Sequence, residues 1–158
     1  MTSSFSNIRT GPCQLLLDGV SVGYTEGDAT FSDGLQVRER KVAQFGDNAV
    51  DLIGTGQQPL ITVRIAEGTL ANLQAWMPEG TVSGGSLYFG RKPGWKASGY
   101  AKRLTLVPLD SSGAAEVCLF RAVVRSRGLV GFNSENDRVY EVTFLGLVDE
   151  TRTDGQLI

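Results

Sequence analysis

Residues 59–78 read PLITVRIAEGTLANLQAWMP, and this stretch joins a strand pattern to a helix pattern. From Leu60 to Ala66, apolar and polar residues alternate, which is typical of a β-strand with one buried face. The apolar side chains expected to face the core are Ile61, Val63 and Ile65. The first half of the stretch therefore predicts a strand in a layered fold.

The second half of the same stretch predicts one short helix. Thr69 is suited to cap its N-terminus, and Pro78 is expected to end it. Its apolar residues recur at helical spacing and would form one stripe: Leu70, Leu73, Trp76 and Met77. A helix with a single apolar stripe is expected to cover the open face of a sheet.

Segments of strand-like alternation lie on both sides of this unit, over residues 13–17, 28–40, 102–109, 116–125 and 138–148. Asp18-Gly19 is a turn dipeptide, and Asp33-Gly34 would form a bulge or a sharp bend. We expect a mainly β (α+β) fold, a β-sandwich or partly open barrel with one packed helix. The 158 residues are expected to form one domain, with 149–158 as a polar C-terminal arm.

The connection between the second segment and Leu60 is long for a hairpin loop. It contains Phe45, Val50, Leu52 and Ile53, apolar residues that are unfavourable in a solvated loop. We interpret this connection as a loop that contacts another protein.

Composition argues against most enzyme classes. The chain contains no histidine, which removes the commonest general base, the commonest metal ligand and any Ser-His-Asp triad. Cys13 and Cys118 are expected to be buried, reduced thiols, and Cys118 is expected to share a strand face with Phe120, Ala122 and Val124. The acidic balance, with a net charge of -2, does not favour a nucleic-acid-binding surface. We expect no catalysis, no cofactor and no metal.

Four longer segments carry a resemblance to a known family. They are GPCQLLLDGVSVGYTEGDATFS (11–32), PLITVRIAEGTLANLQAWM (59–77), LTLVPLDSSGAAEVCLFRAVV (104–124) and YEVTFLGLVDETRTDGQLI (140–158). Taken in order, they resemble the major tail tube proteins of long-tailed bacteriophages. The specificity lies in the series, which covers nearly the whole chain, and residues 84–99 are the least similar part.

The resemblance implies a structural virion protein whose hexameric rings stack into the phage tail tube, a channel for genome delivery. A long β-hairpin, 28–44 with 60–66, would join an inter-subunit barrel around the channel. The implied lumen-facing residues are Asp28, Thr30, Ser32, Gln36, Arg38, Thr62 and Arg64. The loop 45–57 would reach an adjacent ring, through Phe45, Asp47, Val50, Asp51, Leu52 and Ile53.

The resemblance also implies partners and a location. Copies of the same chain would form the rings, and the tube would meet a tape measure protein, a tail terminator, a baseplate and, in contractile tails, a sheath. Double-stranded DNA would pass without specific binding. The N-terminus lacks the pattern of a signal peptide, and no run of about 18 apolar residues occurs. We expect synthesis in the host cytoplasm, no membrane insertion, and assembly into the virion.

Two other functions remain open at this stage. A tail terminator, or a tube protein of a baseplate or secretion system, would share the same fold, so fold alone does not choose among them. A β-barrel that holds a small ligand is a further alternative. It would be a monomer or dimer with an apolar cavity, whereas a tube protein would form hexamers or tubes as its concentration rises.

Overall fold

The computed structural model describes residues 12–90, 92–109, 116–130 and 138–152, with only the backbone of Leu129 and Val130. The strands are β1 (Cys13–Leu17), β2 (Val20–Ser21), β3 (Thr30–Ser32), β4 (Leu35–Lys41), β5 (Ala49–Gln57), β6 (Leu60–Ile65), β7 (Thr81–Ser83), β8 (Ser86–Tyr88), β9 (Lys102–Pro108), β10 (Val117–Val130) and β11 (Val139–Gly146). The α-helix is α1 (Leu70–Trp76). Seven strands form one antiparallel sheet in the order β2-β1-β9-β10-β11-β6-β3, and β4–β5 and β7–β8 form separate ribbons.

The mainly β class is confirmed, in a sandwich-like arrangement that does not close into a barrel. Residues between β2 and β3 cross from one edge of the seven-stranded sheet to the other. The amide of Val22 donates to the carbonyl of Leu15 in β1 at 3.3 Å, and the amide of Ala66 donates to the carbonyl of Tyr24 at 2.9 Å. One segment therefore covers part of both sheet edges, which limits pairing of those edges with other chains.

The strand pattern of residues 60–65 is confirmed in the core. Ile61, Val63 and Ile65 are buried, and they lie opposite Phe144, Val142 and Tyr140 of β11 in the sheet. Burying a large aliphatic or aromatic side chain contributes about 1.5–3 kcal/mol to folding. The face built by β6 and β11 is thus a main source of stability.

The predicted helix is also confirmed. The amide of Asn72 donates to Oγ1 of Thr69 at 3.2 Å, so Thr69 is the N-cap. Trp76 is buried, and its ring lies 5.5 Å from that of Tyr140 in β11, centroid to centroid. The helix therefore covers the sheet through Leu73, Trp76 and Met77, whereas Leu70 at its start is exposed. No helix in the described part of the chain is long and apolar enough to span a membrane.

The face assignment within β10 was wrong. Leu119 is buried in the core beside Leu104, whereas Cys118 lies opposite Thr105 and accepts a hydrogen bond from Nε of Arg103 at 3.1 Å. The register shifts between Leu119 and Ala122, and such an irregularity reverses the alternation of faces. Ala122 and Val124 therefore share the core face with Leu119, whereas Cys118 and Phe120 lie on the opposite face. Cys118 and Cys13 are half-buried free thiols.

The expected loop 45–57 was wrong as well. Residues 49–57 form β5, which pairs along its length with β4, so only 42–48 connect the two strands. The register shifts twice, between Gln36 and Val37 and between Arg40 and Lys41. These shifts interrupt the period-2 pattern, and Gly54 and Gly56 lower the apparent strand propensity. The expected pairing of 28–44 with 60–66 is therefore limited to β3 and β6, and β4 pairs with β5 instead.

The start of the C-terminal arm is ordered against the sheet. The hydroxyl and amide of Thr151 donate to Oδ1 of Asp149 at 2.7 and 3.1 Å, and they hold the pKa of Asp149 below its usual range. The guanidinium of Arg152 lies 3.8 Å from the ring centroid of Phe120. The rest of the arm, 153–158, lies outside the described residues.

Candidate functional site

The β4–β5 ribbon leaves the body of the protein as a two-stranded hairpin. All seven residues of β4 are exposed, and β5 is exposed except for two half-buried positions, Ile53 and Gln57. The two strands pack mainly on each other and make few contacts with other elements. A two-stranded hairpin without a covering layer is only marginally stable in water. The ribbon therefore buries too little of its surface to be stable by itself.

One face of the ribbon carries three uncovered apolar side chains beside Glu39, and we call it the apolar face. Leu35, Val37 and Leu52 are 58%, 50% and 60% exposed. The register places Val37 opposite Gly54 and Leu52 opposite Glu39, so all three side chains share one face. An apolar strip of this kind, carried on a projecting element, is typical of a protein interface.

The opposite face of the ribbon is mixed in charge. It carries Gln36, Arg38 and Arg40, with Arg40 opposite Asp51 and Arg38 opposite Ile53. The amide of Leu52 donates to the carboxylate of Asp51 at 2.8 Å. The ribbon therefore has one face with most of its exposed apolar side chains, which also carries Glu39, and one mainly polar face, which also carries Ile53. A hairpin that lies between a protein layer and water has this general division.

The outer edges of the ribbon are unpaired within the described residues. In the strand pairing, β4 has β5 as its only neighbour and β5 has only β4. Each strand thus presents a row of backbone N–H and C=O groups on its outer side, which is a template for adding a further strand. Because the hairpin has two free edges, each copy can pair with one neighbour on either side, which gives the head-to-tail contacts of a ring or filament.

The expected lumen-facing residues divide into two groups. Thr30 lies opposite Thr62, and Ser32 lies opposite Leu60, so the β3 and β6 candidates share the outward face of the seven-stranded sheet. On that face, the hydroxyl groups of Thr62 and Thr143 form a hydrogen bond of 3.0 Å. Nε of Arg64 lies 3.4 Å from Oε2 of Glu141. Gln36 and Arg38 are on the ribbon instead, and Asp28 is exposed in the loop before β3.

The expected ring-stacking residues also divide. Phe45 and Asp47 lie at the hairpin tip, where Ala43–Phe45 form a 3-10 turn and Phe45 is 61% exposed. Val50, Asp51, Leu52 and Ile53 are strand residues of β5. Val50 falls at the second register shift, where β5 has the extra residue.

Leu35 and Val37 were missed as surface residues. In the alternating segment 28–40, they are spaced by even numbers of residues from Phe31, a pattern that predicts one apolar strand face, and such a face is ordinarily buried. The signal that could have identified them is the bend at Asp33-Gly34. Gly34 has φ +58°, and β4 leaves the sheet after it.

The rest of the described surface offers little chemistry. No group of three or more cysteine, aspartate or glutamate side chains in the described ranges is arranged to hold a metal ion. Burial raises the pKa of the Cys13 thiol, which lowers its nucleophilicity at neutral pH. The ribbon is therefore the best candidate functional site.

Comparison with known proteins neither adds to this assignment nor opposes it. No protein-family model matches the chain, and no curated protein matches it.

Proposed function

We propose that this protein is a structural subunit that assembles with copies of itself into hexameric rings, which stack into the tail tube of a long-tailed bacteriophage. The observation that carries the proposal is the β4–β5 ribbon, with its exposed apolar face and two edges that no described strand pairs with. The proposal takes the ring and the tube from the resemblance of the four sequence segments to tail tube proteins.

Self-association follows from the energetics of the ribbon. Covering Leu35, Val37 and Leu52 would recover about 25 cal/mol for each Å² of apolar surface removed from water. Pairing of a free edge with a neighbouring copy would satisfy backbone groups in regular β geometry. Both gains are available at once when the hairpins of adjacent copies lie side by side, and the resemblance implies that arrangement in the barrel around the channel.

Such a barrel would present the polar face of each hairpin to the channel. Gln36 and Arg38 would then face water, and the tip residues Phe45 and Asp47 would lie where stacked rings meet. On this proposal the strand residues Leu52 and Val37 serve contacts within a ring. The expected partners are further copies of the chain, other tail proteins and passing DNA.

Electron microscopy of the purified protein over a range of concentrations tests the proposal. We expect rings or tubes with a central channel at high concentration, and monomers on dilution. A protein that stays monomeric at every concentration would contradict it.

A variant identifies the surface responsible. Leu52→Lys places a charge on the apolar face of the ribbon and is expected to abolish assembly, with an unchanged circular dichroism spectrum because Leu52 is exposed. The matched control is Val148→Lys, since Val148 is similarly exposed but lies outside the ribbon. Analytical ultracentrifugation should show assembly of the control only.

A further inference from the structure

A cavity of about 250 Å³ lies on the side of the molecule where α1 ends. Its walls come from the C-terminal end of α1 and the residues that follow it, from the central part of β10, and from the 3-10 turn Ala97–Tyr100. Engineered apolar cavities of about 150 Å³ already hold a benzene ring, so this space is large enough for a single-ring ligand.

The cavity is aromatic. Trp76, Trp95 and Tyr100 line it, and the rings of Trp95 and Tyr100 meet edge to face with centroids 6.0 Å apart. Aromatic pairs in this geometry leave ring faces and edges for a further ring to pack against. The apolar part of a ligand would therefore be a planar ring.

Charged side chains also line the cavity. Glu79 is only 7% exposed and forms an ion pair with the more exposed Arg127, which neutralises the buried carboxylate. Lys102 and Arg125 also line the cavity and have no ion-pair partner among the described residues. The net charge of the side chains that line the cavity is therefore positive, and this favours binding of an anionic group.

One buried donor is left without an acceptor. Nε1 of Trp76 has no hydrogen-bond partner in the described part of the protein, although Trp76 is 1% exposed. An indole N–H can only donate, and a buried donor without an acceptor is costly. Because this atom has essentially no accessible surface, a ligand in the cavity does not reach it, and the unpaired donor is a cost of core packing.

We infer that the cavity binds a small ligand that combines an aromatic ring with a carboxylate. The ring packs among Trp76, Trp95 and Tyr100, and the carboxylate lies near Arg125 and Lys102. This site is separate from the β4–β5 ribbon, so it does not rest on the proposed assembly.

Tryptophan fluorescence reports on this site directly, because the two tryptophans of the chain, Trp76 and Trp95, both line the cavity. The probe is phenylacetate, and phenylacetamide is its neutral counterpart of nearly the same shape. We expect a saturable change with phenylacetate, and an affinity for phenylacetamide about tenfold lower because a charge-assisted interaction is lost. The affinity for phenylacetate should fall as salt is added.

Arg125→Gln tests the anionic site without disturbing the core, since Arg125 is exposed. It should weaken phenylacetate binding about tenfold and leave phenylacetamide binding unchanged. The control Arg40→Gln removes the same charge from a residue that does not line the cavity, and it should have no effect. The inference is overturned if phenylacetate gives no saturable change, if both probes bind equally, or if the two variants behave alike.

Discussion

Gly34 shows how a single residue directs the ribbon away from the sheet. Its φ is +58°, a region that glycine adopts freely and other residues rarely adopt. A Cβ atom at this position would collide with the backbone carbonyl of Gln58, whose amide donates to the carbonyl of Gly34 at 3.2 Å. The close approach of these two backbones forms the junction between the sheet and the ribbon.

Gly34→Ala should therefore destabilise the protein. We expect the free energy of unfolding to fall by about 2 kcal/mol or more, from the strained φ and the displaced carbonyl. Gly54→Ala is the matched control, since no atom of the described residues lies within 4 Å of its Cβ position, and it should change stability by less than about 0.5 kcal/mol. Urea unfolding of both variants measures the difference, and equal stabilities would show that the junction is not constrained.

The Cys13 thiol provides a test of pH dependence. Its pKa is raised above the ordinary value of 9.0 because burial disfavours the thiolate. Alkylation of Cys13 in the folded Cys118→Ser variant should therefore be slower than alkylation of the same variant unfolded in urea, at equal pH.

The raised pKa of Cys13 also makes the stability of the protein depend on pH. The folded state holds the proton of Cys13 more tightly than the unfolded state. The contribution of this proton to the free energy of unfolding is therefore fully present below pH 9.0. It is lost as the pH rises towards the raised pKa of the folded state, and the free energy of unfolding should decline there. The variant Cys118→Ser,Cys13→Ser should not show this component of the decline. Equal pH dependence in both variants would contradict the assignment.

At the scale of elements, regular alternation was predictable from sequence and interrupted alternation was not. The strand 60–65 and the helix 70–76 follow directly from the spacing of Ile61, Val63, Ile65, Leu73 and Trp76, because each element has one uninterrupted apolar face. The ribbon has two register shifts, and β10 has two more. Each shift moves the later residues of the strand that carries the extra residue to the other face, so an assignment from period alone fails beyond it.

The ribbon as an element should be much less protected than the seven-stranded sheet in the monomer. Its hydrogen bonds lie near solvent and it has little tertiary packing, which is characteristic of low local stability. In dilute protein, we expect amide exchange in β5 about a hundredfold or more faster than in β11.

Hydrogen-exchange mass spectrometry of peptides covering 49–57 and 139–146 measures this contrast. At concentrations where the proposed rings form, the β5 peptide should become protected, and the β11 peptide should change little. Strong protection of β5 in a verified monomer would mean that the hairpin is stable by itself, and its exposure would no longer argue for assembly.

At the scale of the whole molecule, the body and the ribbon have separable tasks. The core of β1, β6, β9, β10, β11 and α1 is built without any residue of β4 or β5. The ribbon contributes its exposed face and edges instead. Stability thus comes from the body, and on our proposal association comes from the ribbon.

This division predicts that the body folds when the ribbon is removed. The amide of Gln58 already donates to the carbonyl of Gly34, which is the bond that closes a β-turn when two residues separate the partners. Replacing residues 35–57 by Asn-Gly should therefore join Gly34 to Gln58 through a tight turn that favours positive φ.

We expect this shortened protein to unfold cooperatively, with the tryptophan emission of the full chain preserved because Trp76 and Trp95 lie in the body. It should sediment as a monomer at concentrations where the full chain assembles, because both unpaired edges and the apolar face are gone. An unfolded product would show that the ribbon stabilises the body, which contradicts the separation of tasks. A folded product that still forms rings would place the assembly surface elsewhere on the sheet.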